Sequence, residues 1–458
     1  TNLFDIYLTK VLFFSTKANM SLVAFGLDIS SLFCRVAIAS QGVVSNTQGA
    51  RYTPGLVAKE EEGSSNEYIF GDAAQRLSSH KTLSVAIQEE PEAAKAFLAY
   101  LIQLAADNAA VTVDRLRLTV SIPTGLEEEN ITMWLNLVTA AAKSLISDKK
   151  KRKQDFVVGV VNREVAACLA YEIEKNETVL VVDMDGRDVL SMALMACENS
   201  GWYLQQQYET VDKVSGPVMV ELLANFVATQ FERQQRIPRG EVMGRKKARN
   251  KLLKEAERVL LSGSSGSMEF MLDGLFEGID CHLTVSKPRW EMIKGSLFRD
   301  VEVALTMKKE SGFITSVLCS GAWSPLLLPS LQKIFGNIVR LAGATPEESV
   351  VLGCAKQAAF SLQKEGMAPT LMPTVTVPAS PVSIGISEGD EFLISEGTPL
   401  PAKTTYTISK PCKLLQFSPR KKELANLEGI EGETIVTVEL SIEGQLSIGL
   451  VRKPVVVA

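Results

Sequence analysis

The sequence has few residues of the kinds that bind metals or form disulfides: two histidines and seven cysteines in 458 residues. His80 and His282 stand far from each other and from any cluster of metal ligands, so the sequence predicts neither a zinc site nor a histidine-dependent catalytic triad. The cysteines are odd in number, widely spaced and without a Cys-x-x-Cys pair. That pattern indicates reduced thiols and a cytoplasmic compartment rather than a secreted disulfide framework.

Long apolar runs and a strong charge imbalance are also lacking. No run approaches the ~18 apolar residues that a membrane-spanning helix requires, so we expect no membrane partner. The net charge of −5 gives no general attraction to nucleic acid, and we expect no direct DNA binding. The basic run at 149–153 is an exception, which indicates either a solvated loop or a contact with an anionic partner.

Two stretches share one pattern, an apolar strand that ends in an aspartate, a turn and a returning strand. The first strand reaches Asp28 and the chain returns from Cys34, while the second reaches Asp183 and returns from Val189. The repetition predicts a duplicated α/β core in which each half presents one aspartate to a shared cleft. A cleft of this kind commonly holds a nucleotide and its metal.

The turn after Asp183 has an unsuitable composition for phosphate. A phosphate-binding hairpin needs several glycines, because residues without a Cβ let consecutive backbone N–H groups converge on an oxyanion. Here Gly186 stands between Asp185 and Arg187, with Asp188 next. The sequence therefore predicts a loop with the layout of a phosphate loop and a poor capacity to hold phosphate.

Six motifs resemble, in order and spacing, the ATPase domain of the seventy-kilodalton heat-shock (DnaK) chaperone family. The resemblance extends from about Ala24 to the end of the sequence. It implies an α/β protein with an actin-like ATPase fold of two lobes, followed by a small β-rich peptide-binding domain. The motifs are Gly-Leu-Asp-Ile at 26–29, Gly-Asp-Ala-Ala at 71–74, Val-Ser-Ile-Pro at 120–123, the helix at 255–262, Glu-Gly-Ile-Asp at 277–280 and Thr-Pro-Glu-Glu-Ser-Val at 345–350.

The catalytic positions that the resemblance implies are changed. Gln75 stands where the family has its catalytic lysine, and Arg163 stands where it has a glutamate that organises the metal. Phosphoryl transfer depends on positioning and on positive charge near the transferred group, so the loss of these residues removes much of the catalysis. We therefore expect no catalytic residues for hydrolysis. The sequence favours a degenerate ATPase over an active enzyme.

The two arginines also suggest how the cleft folds without a metal. Arg163 and Arg187 fall where the family has a metal-organising acid and a phosphate-binding glycine, so we expect them to neutralise Asp28, Asp183 and Asp185 directly. No bound metal is expected.

The remaining nucleotide positions are partly kept. The family's two stacking arginines align with Val259 and Ser324, which should weaken adenine binding by about 1 kcal/mol each. The resemblance therefore implies ATP as the possible cofactor, and the changed residues predict that ATP binding is weak. Glu255 and Arg258 have an alternative interpretation as an i, i+3 surface ion pair. The nucleotide-binding positions carried over from the family are Asp28, Ser31, Asp183, Gly186, Gly216, Glu255, Arg258, Ser262 and Gly321.

The resemblance also implies the domain boundaries. We expect an extension at 1–19, an actin-like nucleotide-binding or pseudo-nucleotide-binding domain at 20–366, a proline-rich linker at 367–380 and a truncated β-rich domain at 381–458. The linker is a poor copy of the family's docking linker, so ATP-driven docking is not expected. Six strand-like runs follow it, the middle of the β-domain is shortened around 420–433, and no helical lid is expected.

The combination resembles the non-hydrolysing family members that pair with the J-protein zuotin in the ribosome-associated complex. It implies a scaffold or co-chaperone in nascent-chain folding, in contact with the ribosome through a zuotin-like J-protein and with nascent chains as a further partner. Two alternatives stay open: a folding chaperone with weak ATPase activity, and a nucleotide-exchange regulator of another family member. An actin-like sugar kinase is disfavoured because a β-domain follows the ATPase-like part.

Overall fold

The structure is a computed structural model of the 458-residue chain. It describes 22–30, 32–59, 68–75, 77, 80–122, 128–148, 156–173, 177–185, 189–197, 202–212, 214–262, 266–311, 314–364, 377–378, 380, 382–387, 392–395, 398, 402–408, 410, 412–417, 422–427, 434–440 and 446–452.

Strands and helices alternate up to Lys364, and only strands follow among the described residues. The helices are α1 (Gly71–Gln75), α2 (Leu83–Glu89), α3 (Pro91–Ala109), α4 (Glu128–Ser144), α5 (Arg163–Tyr171), α6 (Gly216–Gln235), α7 (Glu241–Gly244), α8 (Lys246–Leu261), α9 (Lys287–Ser311), α10 (Leu328–Phe335) and α11 (Ser349–Lys364). The strands are β1 (Val23–Ile29), β2 (Phe33–Ile38), β3 (Gly42–Val43), β4 (Thr53–Pro54), β5 (Leu56–Lys59), β6 (Tyr68–Phe70), β7 (Lys81–Thr82), β8 (Leu116–Ile122), β9 (Val157–Asn162), β10 (Thr178–Asp183), β11 (Val189–Cys197), β12 (Trp202–Asp212), β13 (Met268–Phe276), β14 (Ile279–Val285), β15 (Ser316–Ser320), β16 (Val377–Pro378), β17 (Ile384–Ile386), β18 (Phe392–Ile394), β19 (Ala402–Ile408), β20 (Lys413–Gln416), β21 (Lys422–Asn426), β22 (Thr434–Leu440) and β23 (Leu446–Arg452).

The first half of the core is a sheet in the order β3-β2-β1-β8-β9, with β4 paired to β2. β1 pairs antiparallel with β2 and parallel with β8, which pairs parallel with β9. Alternate residues of β1 face opposite sides of the sheet. Phe25 and Leu27 pack in a core that includes Phe97 of α3, while Ala24 packs against Ala358 of α11. The strand is buried on both faces, as its continuous apolar sequence predicts.

The second half repeats this arrangement in a sheet in the order β15-β10-β11-β12-β16. β10 pairs antiparallel with β11 and parallel with β15, as β1 pairs with β2 and β8. Leu180 and Val182 pack in the core that includes Leu223 of α6, and Val181 packs on the other face with Ala166 of α5. The duplicated actin-like fold predicted from the two aspartate-ending hairpins is therefore present.

α11 lies between the two halves and packs against β1, β8 and α5. Small residues allow this close approach: a Cβ on Gly26 of β1 would lie 2.4 Å from the Ala355 backbone N, and a Cβ on Gly353 would lie 1.8 Å from the Ala166 carbonyl O. Both distances are shorter than any real Cβ contact. The approach of α11 therefore depends on glycine at these two positions.

The last strands form two small sheets, β18-β17-β20-β21 and β19-β22-β23, around a core that includes Ile384, Leu414 and Val438. β21 lies in the stretch that the sequence analysis treats as a shortened middle, so that stretch contains a strand that the sequence did not predict. The expected linker contributes a strand as well: Val377 and Pro378 pair in parallel with Trp202 and Tyr203 of β12. The remaining described linker residue is Ser380.

No helix among the described residues combines the length and the apolar character that crossing a membrane requires. The six cysteines whose side chains the structure describes are buried. The basic run at 149–153 and the extension at 1–19 lie outside the described residues.

We expect Gly353→Ala to lower the free energy of unfolding by about 1–3 kcal/mol or more, because the new methyl group overlaps the Ala166 backbone. Gly295→Ala is the matched control, since Gly295 is exposed in α9 and a Cβ there meets nothing within 4 Å. It should raise the stability by ~0.5–1 kcal/mol through helix propensity. Urea unfolding followed by circular dichroism measures both, and equal effects of the two substitutions would contradict the packing argument.

Candidate functional site

A buried arginine lies where the two halves of the core meet. Parallel strands place their carboxyl ends at one edge of a sheet, so Asp28 at the end of β1 and Ser121 at the end of β8 lie beside Arg163, which follows β9 directly. Asp183 ends β10 in the other half. Arg163, Asp28 and Asp183 are each 1% exposed.

Arg163 joins the two halves by ion pairs. Its Nη1 lies 2.5 Å from Oδ1 of Asp28, and its Nε lies 3.0 Å from Oδ2 of Asp183. The same Nε lies 3.2 Å from Oδ2 of Asp185. The pairing of Arg163 with these three aspartates, which the sequence predicts, is therefore present. Arg187, the second predicted partner, lies outside the described residues.

Hydroxyl groups complete the cluster. Ser121 donates from Oγ to Oδ1 of Asp28 at 2.7 Å, and Ser30 donates from Oγ to the backbone O of Asp185 at 2.7 Å. The second bond links the turn after β1 to the turn after β10. Buried carboxylates require such partners, because an unpaired charge in the interior carries a large desolvation penalty.

The electrostatics of the cluster keep the arginine charged. Burial alone would lower the pKa of the Arg163 guanidinium, but the charges of Asp183, Asp28 and Asp185 outweigh burial and hold that pKa well above its ordinary value. One cation therefore serves three neighbouring carboxylates. Removal of this cation would take away an ion pair from each of these buried acids.

The cluster does not fit a nucleotide-bound metal. The guanidinium occupies the space between Asp28 and Asp183, where the family resemblance would place the cation. Among the described residues, no group of three or more His, Cys, Asp and Glu side chains could hold a metal ion. A magnesium ion at this point would have to displace Arg163, and no step of chemistry can be assigned to it.

A tryptophan fills the space beside one predicted nucleotide-binding glycine. The Trp323 indole lies directly over Gly216 at the start of α6, where a Cβ would approach its Cε2 to 2.1 Å. Trp323 is 1% exposed and belongs to the core of the second half. Gly321, another predicted contact, has φ +89°, and a Cβ there would lie 2.4 Å from the Met184 carbonyl O. Both glycines are thus used for internal packing.

A separate cleft lies in front of this buried cluster. It is a cavity of about 1240 Å³ whose lining includes Gln75, Glu255, Arg258, Ser262 and Trp323. Glu255 accepts two hydrogen bonds from Arg258, at 2.6 and 2.9 Å, and the Arg258 side chain is 62% exposed. The i, i+3 ion pair weighed as the alternative interpretation is therefore formed, and it lies on the cleft wall.

The predicted nucleotide site is consequently divided in two. Gln75, Glu255, Arg258 and Ser262 line the cleft, whereas Asp28, Asp183, Gly216 and Gly321 are absent from its lining and lie in the interior. The expectation that Asp28 and Asp183 face a shared cleft is wrong, because both side chains are buried and form ion pairs with Arg163 in the interior. Ser31 and Gly186 lie outside the described residues.

Sequence reasoning missed two residues that shape the cleft. Arg35 on β2 is 7% exposed, and its guanidinium lies 5.8 Å from the ring centre of Phe33 and 5.9 Å from that of Tyr52. Trp323 forms part of the same wall. One signal for Arg35 was available in the sequence: it is a charged residue inside the apolar strand of residues 33–38, and arginine is rarely buried unless it is paired.

Two halves that each end a hairpin in an aspartate, joined by α11 around a cleft, define an actin-like ATPase domain. A family model described as Hsp70 protein matches residues 156–418, more than half of the chain. The chain therefore belongs to the Hsp70 family.

Three proteins that are similar to this chain have the same name, heat shock 70 kDa protein 14. The chain is 30% identical over 275 residues to heat shock 70 kDa protein 14 of Xenopus tropicalis, covering 56% of this chain and 53% of that protein. It is 27% identical over 451 residues to the protein of that name from Pongo abelii, and 26% identical over 451 residues to the one from Homo sapiens. Each of these two matches covers 85% of both chains.

We expect Arg163→Ala to lower the free energy of unfolding by about 3–5 kcal/mol, because it removes the buried cation that pairs with both Asp28 and Asp183. Arg249→Ala is the matched control, since Arg249 pairs with Glu221 at 2.9 Å on the surface and should change stability by less than about 1 kcal/mol. Urea unfolding measures both. Adding Asp28→Asn and Asp183→Asn to Arg163→Ala should recover part of the loss, and an unchanged unfolding midpoint in Arg163→Ala would reject the role of the ion pairs.

Proposed function

We propose that this Hsp70-family protein is a non-hydrolysing scaffold or co-chaperone that works with a zuotin-like J-protein in nascent-chain folding at the ribosome. In this proposal it is cytoplasmic and reaches the ribosome through its partner. Any contact with nascent chains is made within that complex. The catalytic cycle of an ATP-driven chaperone is not part of the role.

The observation that carries the proposal is the position of Arg163. Hydrolysis in this fold requires a metal-bound nucleotide at the meeting point of the two halves, and a side-chain cation fills that point at 2.5 Å from Asp28 and 3.0 Å from Asp183. Gln75 supplies no positive charge from the cleft wall. Without the positive charges of a catalytic lysine and a bound metal, the transferred phosphoryl group lacks its main electrostatic stabilisation.

Trp323 supports the same conclusion for binding. A nucleotide that contacted Gly216 would need the indole to leave a position in which it is 1% exposed. Moving a buried tryptophan out of a packed core would cost about 3 kcal/mol or more, judged from the loss of large side chains in cores. We therefore propose that ATP binding is weak and that no metal is held.

The β-domain offers an edge for a stable partner. β21 is an edge strand protected by the charges of Lys422 and Glu423. β23 is the edge of the other sheet, is seven residues long and is uncharged from Leu446 to Val451. Among the described residues no strand pairs with its outer side. An extended segment of a J-protein could add to β23 through backbone hydrogen bonds, with Leu450, 50% exposed, as an apolar contact.

Purified protein should release no phosphate from ATP above the buffer background, because Gln75 and Arg163 replace the groups that stabilise transfer. Gln75→Lys alone should not restore turnover, since Arg163 still fills the metal position. A phosphate-release assay measures turnover, and calorimetric titration with ATP and ADP measures the remaining binding. Turnover that Asp28→Asn or Asp183→Asn abolishes would contradict the proposal.

Leu450→Lys should weaken a complex with a zuotin-like J-protein at least tenfold, because it places a charge on the apolar edge strand where the partner adds. Phe392→Lys is the matched control: Phe392 is also 50% exposed but lies on β18 of the other sheet, and its substitution should leave affinity unchanged. Pull-down and co-sedimentation with ribosomes at low salt measure the complex. A wild-type protein that stays free of any J-protein and out of the ribosome pellet would overturn the proposal.

A further inference from the structure

An arginine in the cleft is buried beside aromatic rings rather than beside an acid of its own. Arg35 lies on β2 opposite Asp28 of β1, is 7% exposed and lines the cavity. The rings of Phe33 and Tyr52 lie 5.8 and 5.9 Å from its guanidinium carbon. Among the described residues, its guanidinium forms no hydrogen bond and no ion pair within 4.0 Å.

The nearby acids act on Arg35 through space, and none among the described residues forms an ion pair with it. Asp28 is held by Arg163 at 2.5 Å, and Glu348 is held by Arg51 at 2.5 and 2.9 Å. Glu347 acts on Arg35 through space from the cleft wall. Burial lowers the pKa of Arg35, and the charges of Asp28, Glu347 and Glu348 only partly oppose this effect. An anionic ligand in the cleft would give the Arg35 guanidinium the hydrogen-bond partner that the described residues do not supply.

The charge of the cleft limits the kind of anion. Its described lining holds six lysine and arginine side chains and six aspartate and glutamate side chains, so the formal charges cancel. A cleft without net positive charge is a poor site for a di- or triphosphate. A single planar carboxylate instead matches the two parallel N–H groups of one guanidinium fork.

The walls of the cleft suit an apolar ligand body. Phe33 and Tyr52 lie beside Arg35, Trp290 and Trp323 also line the cavity, and the volume of about 1240 Å³ is large enough for a small organic molecule. Few polar groups besides the charged rim are needed to orient such a ligand.

We propose that the cleft binds a small organic monocarboxylate, whose carboxylate accepts two hydrogen bonds from Arg35 and whose apolar body lies against Phe33 and Tyr52. The ligand binds non-covalently and undergoes no reaction. The ligand lies in the cleft without contact to the Arg163 cluster, so the site does not depend on ATP hydrolysis or on a J-protein.

The test compares the wild-type protein with Arg35→Met, which keeps the length of the side chain but removes the charge. Acetate, benzoate, phenylpyruvate and indole-3-acetate are titrated as sodium salts, with sodium chloride at matched ionic strength as the blank. The aromatic carboxylates should raise the melting temperature of the wild-type protein and shift the Arg35 Nε NMR resonance. Arg35→Met should bind them at least tenfold more weakly while remaining as stable as the wild type without ligand, or more so.

Lys287→Met is the control for charge in the same cleft, because Lys287 also lines the cavity but is exposed. It should keep the response to aromatic carboxylates. Three results would overturn the proposal: destabilisation of ligand-free Arg35→Met, which marks a structural role; the same response in wild type and Arg35→Met for all four acids; or tighter binding of inorganic pyrophosphate or of an acidic peptide than of benzoate.

Discussion

The contact between Arg163 and the aspartates that end β1 and β10 is the interaction on which the rest of the structure depends. Each half of the core brings an acid to the meeting point, and neither acid is reachable by solvent. A cation must neutralise them, and in this chain the cation is part of the polypeptide. The two halves are therefore joined by a permanent component, whereas a nucleotide and its metal could come and go. The tie between the two halves is therefore internal to the chain.

This tie separates two regions that the Hsp70 family uses as one. Gly216 and Gly321 serve packing and the two aspartates pair with Arg163 in the interior, while Gln75, Glu255 and Arg258 remain on the wall of an open cleft. The cleft has a volume of about 1240 Å³, and its lining includes Phe33, Tyr52 and Trp323 but neither Asp28 nor Asp183.

Much of the architecture could be predicted because it follows from short patterns. The strands that end at Asp28 and Asp183 are uninterrupted apolar runs, and their repetition indicates the duplicated core. The Arg163 pairing could be predicted from charge at an aligned position. The packing of Trp323 over Gly216 could not, because it is a contact between residues more than 100 positions apart. β21 was missed because it is short and begins with two charged residues, Lys422 and Glu423, which interrupt the apolar pattern of a strand. The role of Arg35 was missed because no local pattern shows which groups surround an arginine in a strand.

The position of α11 has a consequence for how the chain is made. The helix covers one face of β1, yet about 320 residues separate Ile29 from Ser349. At ~5–20 residues per second, synthesis of that interval takes roughly 15 to 65 s. During this time Ala24 and Gly26 lack the helix against which they pack. The first sheet emerges with an uncovered apolar face, so this protein itself is exposed to aggregation until its last helix is complete.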